Sequence, residues 1–474
     1  MKTILLHLAY FTIAFFSLSN ANQNSSPRLM GTARTFTALS RGLDAIGTNP
    51  ANLSLDDRGS TVTFQLLPLG INISSDFTYG FYNKYFVGVE SDSNGGKRTP
   101  LFLSEEDKKN LTDEVFFNDV SYTRVNAEIN FFGLNVQSGG FGVGVLIRER
   151  LDAKINLDKD YFNLVFAGLD TAKSEYSFNN TMMKASWLRE YNFSTAYNIT
   201  IPSETFPNIA LGVGVKYIQG FAYFGTQYFS GNITQTITNP QDTSIDINNV
   251  GASIKGNLHA LQLRSGISQT ELESMNPLPT PAGKGIGIDI GITAKIKKAF
   301  YVSASIIDIG KIQWEKNTKA FIAEGEFNFE GSIFEQVDSL KKFFKGEQKD
   351  TTAFFSSLPT ALHLGTMWAV HNSVESFPGK FTLAADAHFG FNDEPGNSKI
   401  AKISFGAEYL PIDFFALRTG ILLGGRERFN WSVGVGLHFG NAVDIDVATE
   451  NIGILLNPDD FRSLSLIFGI RWRI

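Results

Sequence analysis

The chain has 474 residues, enough for several ordinary domains or for one very large one. Its formal net charge is −6 and its pI is about 5.6, so a nucleic-acid partner is not expected. The absence of cysteine excludes disulfides, thiolate zinc sites and a lipoprotein anchor. Phe and Gly are both abundant, with 42 and 44 residues, which suits a sheet with an aromatic outer surface better than a soluble enzyme core.

The first residues have the features of an export signal. Lys2 gives a positive start, an apolar stretch runs from Ile4 to Leu18, and Ser19-Asn20-Ala21 offers small residues at a cleavage site. The alternative is a membrane-anchoring helix, but the stretch is short for one and lacks a basic stop after it. We therefore expect a signal peptide over residues 1–21, and no later segment reaches the roughly 20 apolar residues of a transmembrane helix.

Residues 22–60 differ from the rest of the chain. Thr35 to Ala45 has loosely helical spacing, and the Asn49-Pro50 step that follows is a turn signal, because proline keeps the residue before it out of the helical region. This pattern predicts a short helix that ends here, before a first strand at about Ser60 to Leu66.

From residue 61 onward, apolar residues alternate with small or polar ones, which predicts strands with two unlike faces. Between Arg428 and Gly440 one face carries Trp431 and Phe439, and the other carries glycines, Asn, Ser and His438. We count about fourteen such strands. The clearest of the others lie near residues 124–131, 141–148, 189–200, 209–217, 286–293, 381–390, 401–409, 443–448 and 463–473.

The connections between these strands are of two kinds. Short turns such as 410–413 and 424–426 predict antiparallel neighbours. Long polar loops are predicted near 89–120, 152–185, 236–283 and 330–357. The last of these contains Ile333 to Phe344 at helical spacing, either a helix packed on a rim or a lid over a ligand entrance.

The alternation fits either a soluble sandwich or a transmembrane barrel. A sandwich would carry many Lys, Glu and Thr residues on its polar face. Here that face is mostly Gly, Ala and Ser with isolated charges, which suits the concave inside of a closed sheet. A charge at the lipid-facing midplane costs about 2–4 kcal/mol, and the apolar faces largely lack charges. The sequence therefore predicts an all-β fold, a transmembrane antiparallel β-barrel of about 14 strands over residues 61–474. It ends in an amphipathic strand that resembles the insertion signal of bacterial outer-membrane barrels.

Three features resemble the FadL-like outer-membrane protein superfamily, which includes fatty-acid and hydrocarbon transporters and PorV-type secretion proteins. The first is Gly31-Thr-Ala-Arg34, followed by Gly42-Leu-Asp-Ala45 and by Asn49, Pro50 and Ala51. The second is the segment from Ala304 to Trp314, similar to a strand-end motif of Bacteroidota members, and the third is the length with the strand count. The resemblance implies that residues 22–60 form an N-terminal hatch that plugs the barrel, with Asn49-Pro50-Ala51 as its motif.

Charged and histidine side chains on the small face are expected to line the lumen. They fit either a structural network that braces wall and hatch or a polar path with a head-group site, for which Arg418 is the best single candidate because guanidinium pairs bidentately with carboxylate. The predicted lumen-lining residues are Glu128, Arg148, Asp289, Asp386, His388, Glu408, Arg418, His438 and Asp444.

No nucleophile elbow or metal-spaced histidine pair is present, so the sequence predicts no enzyme, metal site or cofactor. The resemblance implies a monomer in the outer membrane of a Gram-negative bacterium that takes up hydrophobic or amphipathic small molecules passively. The alternative is an accessory barrel of a secretion system that binds exported proteins. The expected partners are membrane lipids together with a hydrophobic ligand or an exported protein.

Overall fold

The protein is described from a computed structural model. The described residues are 26–55, 58–90, 98–99, 103–166, 173–238, 251–273, 276, 278–331, 346–374, 376–425, 428–440, 442–459 and 462–474. The expected signal peptide and the expected helix at 333–344 lie outside them. None of the helices in this part of the chain has the length and apolar character needed to cross a membrane.

Strands account for most of the described residues. In chain order they are β1 Val62–Gln65, β2 Leu69–Ser75, β3 Val89–Glu90, β4 Arg98–Thr99, β5 Val120–Ser138, β6 Phe141–Asp158, β7 Glu175–Ser177, β8 Met182–Thr200, β9 Asn208–Thr238, β10 Gly251–Gly266, β11 Gly283–Ile296, β12 Phe300–Trp314, β13 Lys319–Gly331, β14 Glu347–Asp350, β15 Phe354–Ser357, β16 Ala361–Ala369, β17 Lys380–Gly390, β18 Lys402–Ile412, β19 Phe415–Gly424, β20 Arg428–Phe439, β21 Val443–Thr449 and β22 Ser463–Arg473.

The helices are short and lie before, between or beyond the strands. The α-helices are α1 Pro27–Gly31, α2 Tyr79–Tyr85, α3 Glu105–Val115, α4 Lys159–Phe166, α5 Gln269–Glu273 and α6 Gly453–Leu456. Single 3₁₀ turns occupy Gly42–Ala45, Pro50–Ser54, Phe117–Asp119 and Val370–Asn372.

The strands close into a barrel. β1 and β2 together make the first wall strand, which pairs with β5 on one side and with the last strand β22 on the other, as where Phe64 pairs with both Leu134 and Trp472. The circuit of antiparallel neighbours then runs β5, β6, β8, β9, β11, β12, β16, β17, β18, β19, β20, β21 and β22, which makes a closed barrel of 14 strands and confirms the predicted fold. Trp431 and Phe439 face the lipid and are 44% and 47% exposed, while His438 is buried inside.

The two ends of the barrel differ. Short turns, such as 139–140 and 413–414, lie at the same end as Ile474, and this end is called the turn end. The other end, the loop end, carries most of the long connections together with the short turn at 424–425. β9 has 31 residues, far more than the roughly 9–11 that cross a bilayer, so its second half extends beyond the membrane. There it pairs with β10, and β13 and β14 continue that sheet.

All four of the predicted long loops contain regular structure. β6 continues through Asp158 and β8 begins at Met182 within the expected loop 152–185, and β10 occupies 251–266 within the expected loop 236–283. Segments 89–120 and 330–357 contain α3 with β3 and β4, and β14 with β15. The loop predictions were wrong there because a sheet in water can be polar on a face that would be apolar in lipid, which hides the alternation.

The N-terminal boundaries also differ from the predictions. No helix covers 35–45, and a 3₁₀ turn begins at Pro50 instead of a helix ending there. Proline suits a first helical position, and the Asn49 side chain caps the turn by accepting a hydrogen bond from the Ala51 N–H. The first wall strand is divided into β1 and β2 by 66–68, where Leu67 has φ of 53° before Pro68.

Candidate functional site: the filled lumen

Residues 26–55 lie inside the barrel and are called the plug. Most of their side chains are buried, and Leu29, Phe36, Leu39, Ile46 and Leu53 pack on wall residues such as Leu146 and Met367. The 3₁₀ turn at Pro50–Ser54 contacts β6, β8, β9 and β11, and α1 contacts β19 to β22. The plug therefore bridges opposite parts of the wall.

Wall glycines make room for the backbone of the plug. A Cβ added to Gly142 would lie less than 3 Å from the backbone of Leu53, and one added to Gly406 less than 3 Å from the backbone of Thr32. Real Cβ atoms do not approach so closely, so larger residues at these positions would push the plug away. The small residues on the inner face of the strands therefore mainly leave space for the plug, in addition to relieving crowding inside the curved sheet.

The Asn49-Pro50-Ala51 motif lies in the middle of this contact. Asn49 Nδ2 donates to the Thr37 carbonyl at 2.8 Å and to Thr293 Oγ1 at 3.0 Å. Thr293 Oγ1 in turn donates to Asn52 Oδ1 at 2.6 Å. A Cβ on Gly212 would overlap the backbone of Pro50 and Ala51. The motif folds the plug on itself and joins it to β9 and β11.

Asp386 of β17 forms a second attachment. Its Oδ2 accepts hydrogen bonds from the backbone N–H of Phe36 at 2.9 Å, from the backbone N–H of Thr37 at 2.8 Å and from Thr37 Oγ1 at 2.7 Å. Charged acceptors make stronger hydrogen bonds than neutral ones. One wall carboxylate therefore holds a whole turn of the plug.

A fully buried charge cluster lies beside the plug on β5, β6, β8, β9, β11 and β12. Glu190 accepts from Arg148 at 2.7 Å and from Arg150 at 2.8 Å. Its other members pair within the cluster. Glu128 pairs with Arg148 at 3.7 Å, and Lys216 pairs with Asp289 at 2.9 Å and with Asp308. Buried charges persist only when paired, so this cluster is a cohesive unit of the wall.

The sequence placed Glu128, Arg148 and Asp289 among the lumen-lining residues and put Lys216 on the polar face of its strand without naming it as a partner, but it missed Arg150, Glu190 and Asp308. Asp308 is out of phase in the alternation, because a register shift at Ile288/Ile290 and its own φ of 56° turn it inward. The signal that could have found it is the pair Ile306-Ile307 directly before Asp308, which breaks the alternation of the strand. Arg150 lies beyond the point where the strand was expected to end.

A second charged group connects wall and plug near β18 to β22. Arg418 donates from Nε to Glu408 at 2.7 Å and from Nη1 to Asp446 at 2.5 Å, and its Nη2 lies 3.5 Å from His438. Arg28 of the plug also binds Glu408, at 2.7 Å. All three guanidinium nitrogens of Arg418 thus have partners within the protein, which argues against its predicted role in binding an anionic head group.

Asp444 belongs to a separate charged group of three residues at the turn end. Its carboxylate accepts from Arg473 Nε at 2.6 Å and from Arg58 at 2.8 Å. Arg58 is at the entrance to β1 and Arg473 is in β22. The pairing therefore lies where the first and last wall strands meet.

The connection between β17 and β18 folds into the barrel, and residues 391–401 are called the inner loop. Lys184 binds Glu394 at 2.6 Å, Arg124 donates to the Gly396 carbonyl at 3.2 Å and Lys154 donates to the Asn397 carbonyl at 3.3 Å. Asn397 is buried as a result. The run of turn-forming residues in this loop does not distinguish a loop inside the barrel from one in water.

A cavity of about 50 Å³ is lined by both the plug and the inner loop. Phe36 comes from the plug, Asn397 from the inner loop, and His363 and His388 from the neighbouring strands β16 and β17. Asp386 also lines it. Two of the residues predicted to lie in the lumen, Asp386 and His388, therefore meet at one cavity.

Exposed aromatic side chains form a surface at the loop end, called the aromatic patch. Tyr79, Tyr82, Phe86 and Phe166 are all exposed. The ring of Phe86 lies 6.3 Å from that of Tyr82 and 6.2 Å from that of Phe166. Beneath them Phe81 is buried against α3. The loop end thus displays a contiguous apolar surface on a packed base.

Comparison with known families finds one match that covers most of the chain. Residues 60–444 match the model of DUF5723, described as a family of unknown function. No curated protein matches the sequence.

Three solved structures illustrate the similarity in fold. The Ralstonia pickettii toluene transporter TbuX has 12% identity and a TM-score of 0.45, with 97% of this chain and 100% of TbuX covered. A TodX monoaromatic hydrocarbon channel mutant has 12% identity and a TM-score of 0.46, covering 96% and 99%. A Pseudomonas aeruginosa FadL homologue has 12% identity and a TM-score of 0.44, covering 96% and 98%. Similarity at this level identifies no substrate for this chain.

Proposed function

The chain belongs to the DUF5723 family, and we propose that it is an outer-membrane channel for passive uptake of hydrophobic or amphipathic small molecules. The molecule is captured at the aromatic patch at the loop end. It then passes through the lumen when the plug rearranges.

The aromatic patch is the observation that carries this proposal. Tyr79, Tyr82, Phe86 and Phe166 expose their rings at the end of the barrel that carries the long loops. A surface of this kind is costly in water and usually marks a binding site for apolar groups. An apolar molecule gains about 25 cal/mol for each Å² of its surface that it buries there.

The way the plug is held supports the second half of the proposal. It fills the lumen, yet its attachments are hydrogen bonds, ion pairs and close packing, such as Asp386 with Thr37 and Glu408 with Arg28. Such contacts can exchange between two arrangements without breaking the wall, whose strands pair with each other independently of the plug.

Uptake of a labelled long-chain fatty acid by bacterial cells tests the proposal. Cells with the chain in their outer membrane should take it up faster than cells without it. Deleting residues 22–52 should change the rate, and an unchanged rate would contradict a route past the plug. The accessory role in protein secretion and the monomeric state stay predictions.

A further inference from the structure

The cavity between the plug and the inner loop contains an adjacent pair of histidines. His363 and His388 are cross-strand neighbours on β16 and β17, and their rings lie 4.5 Å apart. Both line the cavity, and the Nδ1 atoms face each other at 3.3 Å. Their proton positions follow from the hydrogen bonds around them.

The Asn397 amide has a fixed orientation. Its Nδ2 lies 2.8 Å from the Thr360 carbonyl and 3.2 Å from Asn392 Oδ1, and both of these are acceptors. Its Oδ1 accepts from the Ser398 N–H at 2.9 Å. The amide oxygen therefore faces His388 Nε2, 3.3 Å away, and that nitrogen must carry the hydrogen.

The proton positions in the pair follow. An uncompensated charge is costly inside a protein, so both rings are taken as neutral. His388 with its hydrogen on Nε2 can only accept at Nδ1, and His363 must then donate from Nδ1. His363 Nε2 is left as an acceptor. It is fully buried and has no hydrogen-bond partner among the described residues.

Asp386 adds a second acceptor of the same kind. Its Oδ2 holds the plug, while its Oδ1 is buried without a hydrogen-bond partner in the described part of the chain. Buried acceptors are nearly always satisfied. Two residues that line one cavity thus each have a buried acceptor of this kind, which favours a bound group that donates hydrogen bonds.

The charges around the cavity decide between kinds of donor. Arg34, Arg124 and Lys402 line it, against two carboxylates, Asp386 and Glu450. The excess of positive charge disfavours an ammonium group and leaves a neutral hydroxyl as the better donor. The cavity of about 50 Å³ holds a head group of roughly three water-sized units, not a whole molecule. Over the described residues, no three His, Asp or Glu side chains are placed to hold a metal ion.

We propose that this cavity binds the hydroxyl head group of an amphipathic molecule, whose one O–H donates to His363 Nε2 while a water beside it donates to Asp386 Oδ1. The inference rests on the proposed function, because it names the kind of head group that the channel accepts.

The test compares ligands that share a ten-carbon tail. The purified protein in an alkyl amine-oxide detergent, which has no hydroxyl group, is titrated with 1-decanol, decyltrimethylammonium and decanoate. 1-Decanol should bind about tenfold more tightly than either ion, since about 1.4 kcal/mol corresponds to a factor of ten. Equal binding of all three, no binding of 1-decanol, or tighter binding of decanoate would overturn the proposal.

Variants locate the binding. His363→Phe should weaken 1-decanol binding about tenfold, while His363→Gln, which retains an acceptor, should keep it within about threefold. His371→Phe is the matched control, because His371 contacts the Phe381 carbonyl away from the cavity. If His363→Phe binds 1-decanol like the unchanged protein, the proposal is overturned. If that variant does not fold, the comparison of the three head groups still decides. If cells take up the fatty acid but the purified protein does not prefer 1-decanol, only this inference is refuted. If the protein prefers 1-decanol but cells show no uptake, only the proposed channel function is refuted.

Discussion

Asn49 of the plug and Gly291 of β11 are in such close contact that no side chain fits between them. A Cβ at position 291 would lie less than 3 Å from the Asn49 amide. The wall glycine and the plug asparagine are therefore two halves of one fitted contact, which neither segment of the sequence displays alone.

A larger residue at Gly291 should release the plug from the wall. Gly291→Val should displace Asn49 at a cost of about 1–3 kcal/mol, and trypsin should then cut the plug of the folded barrel at its arginines. Gly266→Val is the control, because the nearest atom to a Cβ there is 3.7 Å away. Equal protease resistance of the two variants would contradict the fitted contact.

Asp386 should contribute more to plug attachment than any one of its partners. Asp386→Leu removes three hydrogen bonds to Phe36 and Thr37 and leaves two buried N–H groups unsatisfied, so we expect a loss of about 3 kcal/mol. Thr37→Val removes only the hydroxyl bond and should cost about 1 kcal/mol. Tryptic cleavage rates of the plug in native protein measure both. A larger effect from Thr37→Val would be inconsistent with the assigned role of Asp386.

Neutralising Glu190 should destabilise the barrel itself. Glu190→Gln leaves Arg148 and Arg150 with less counter-charge in a fully buried cluster, so we expect a loss of about 3–5 kcal/mol. Glu114→Gln removes the exposed pair of Glu114 with Lys84, at 3.1 Å, and should cost less than about 1 kcal/mol. Urea unfolding in detergent compares the two. Similar losses in the free energy of unfolding for both variants would show that the buried cluster stabilises the barrel no more than an exposed ion pair does.

Removing rings from the aromatic patch should weaken capture. Tyr82→Ser together with Phe86→Ser should raise the fatty-acid concentration for half-maximal uptake about tenfold, a loss of about 1.4 kcal/mol. Phe206→Ser is the control, because Phe206 is equally exposed but lies between β8 and β9 at the turn end. Loss of uptake in the control alone would rule out the patch as the capture site.

The sequence predicts the barrel well because every wall strand has lipid on one side and a filled lumen on the other. Its residues therefore alternate between apolar ones that face the lipid and small or polar ones that face the lumen. Trp431 and His438, for example, lie on the faces expected of them. This alternation fails where the surroundings change. β10 is missed because it lies in water beyond the membrane, and Asp308 is missed because a local shift in register reverses its side chain.

The contents of the lumen are less readable from the sequence. The alternation shows that Arg418 and Asp386 face inward but not what they meet there, because their partners come from strands and loops distant in the chain. Arg28 and Glu408 are 380 residues apart. The inner loop is missed for the same reason: a polar turn that enters the barrel has the same composition as one that remains in water.

Locking the plug to the wall tests the account most directly. A Cβ on Gly420 would lie 2.9 Å from the Cβ of Ala33 and 2.6 Å from the backbone of Thr32, so the plug must shift by about 1 Å to reach the roughly 3.5–4.5 Å between Cβ atoms of a disulfide. The chain has no cysteine of its own, so Ala33→Cys with Gly420→Cys gives a single pair, with Gly420→Cys alone as the control. Uptake of labelled fatty acid should fall to background when the pair is oxidised and recover on reduction. Unchanged uptake with the disulfide verified would contradict passage past a moving plug.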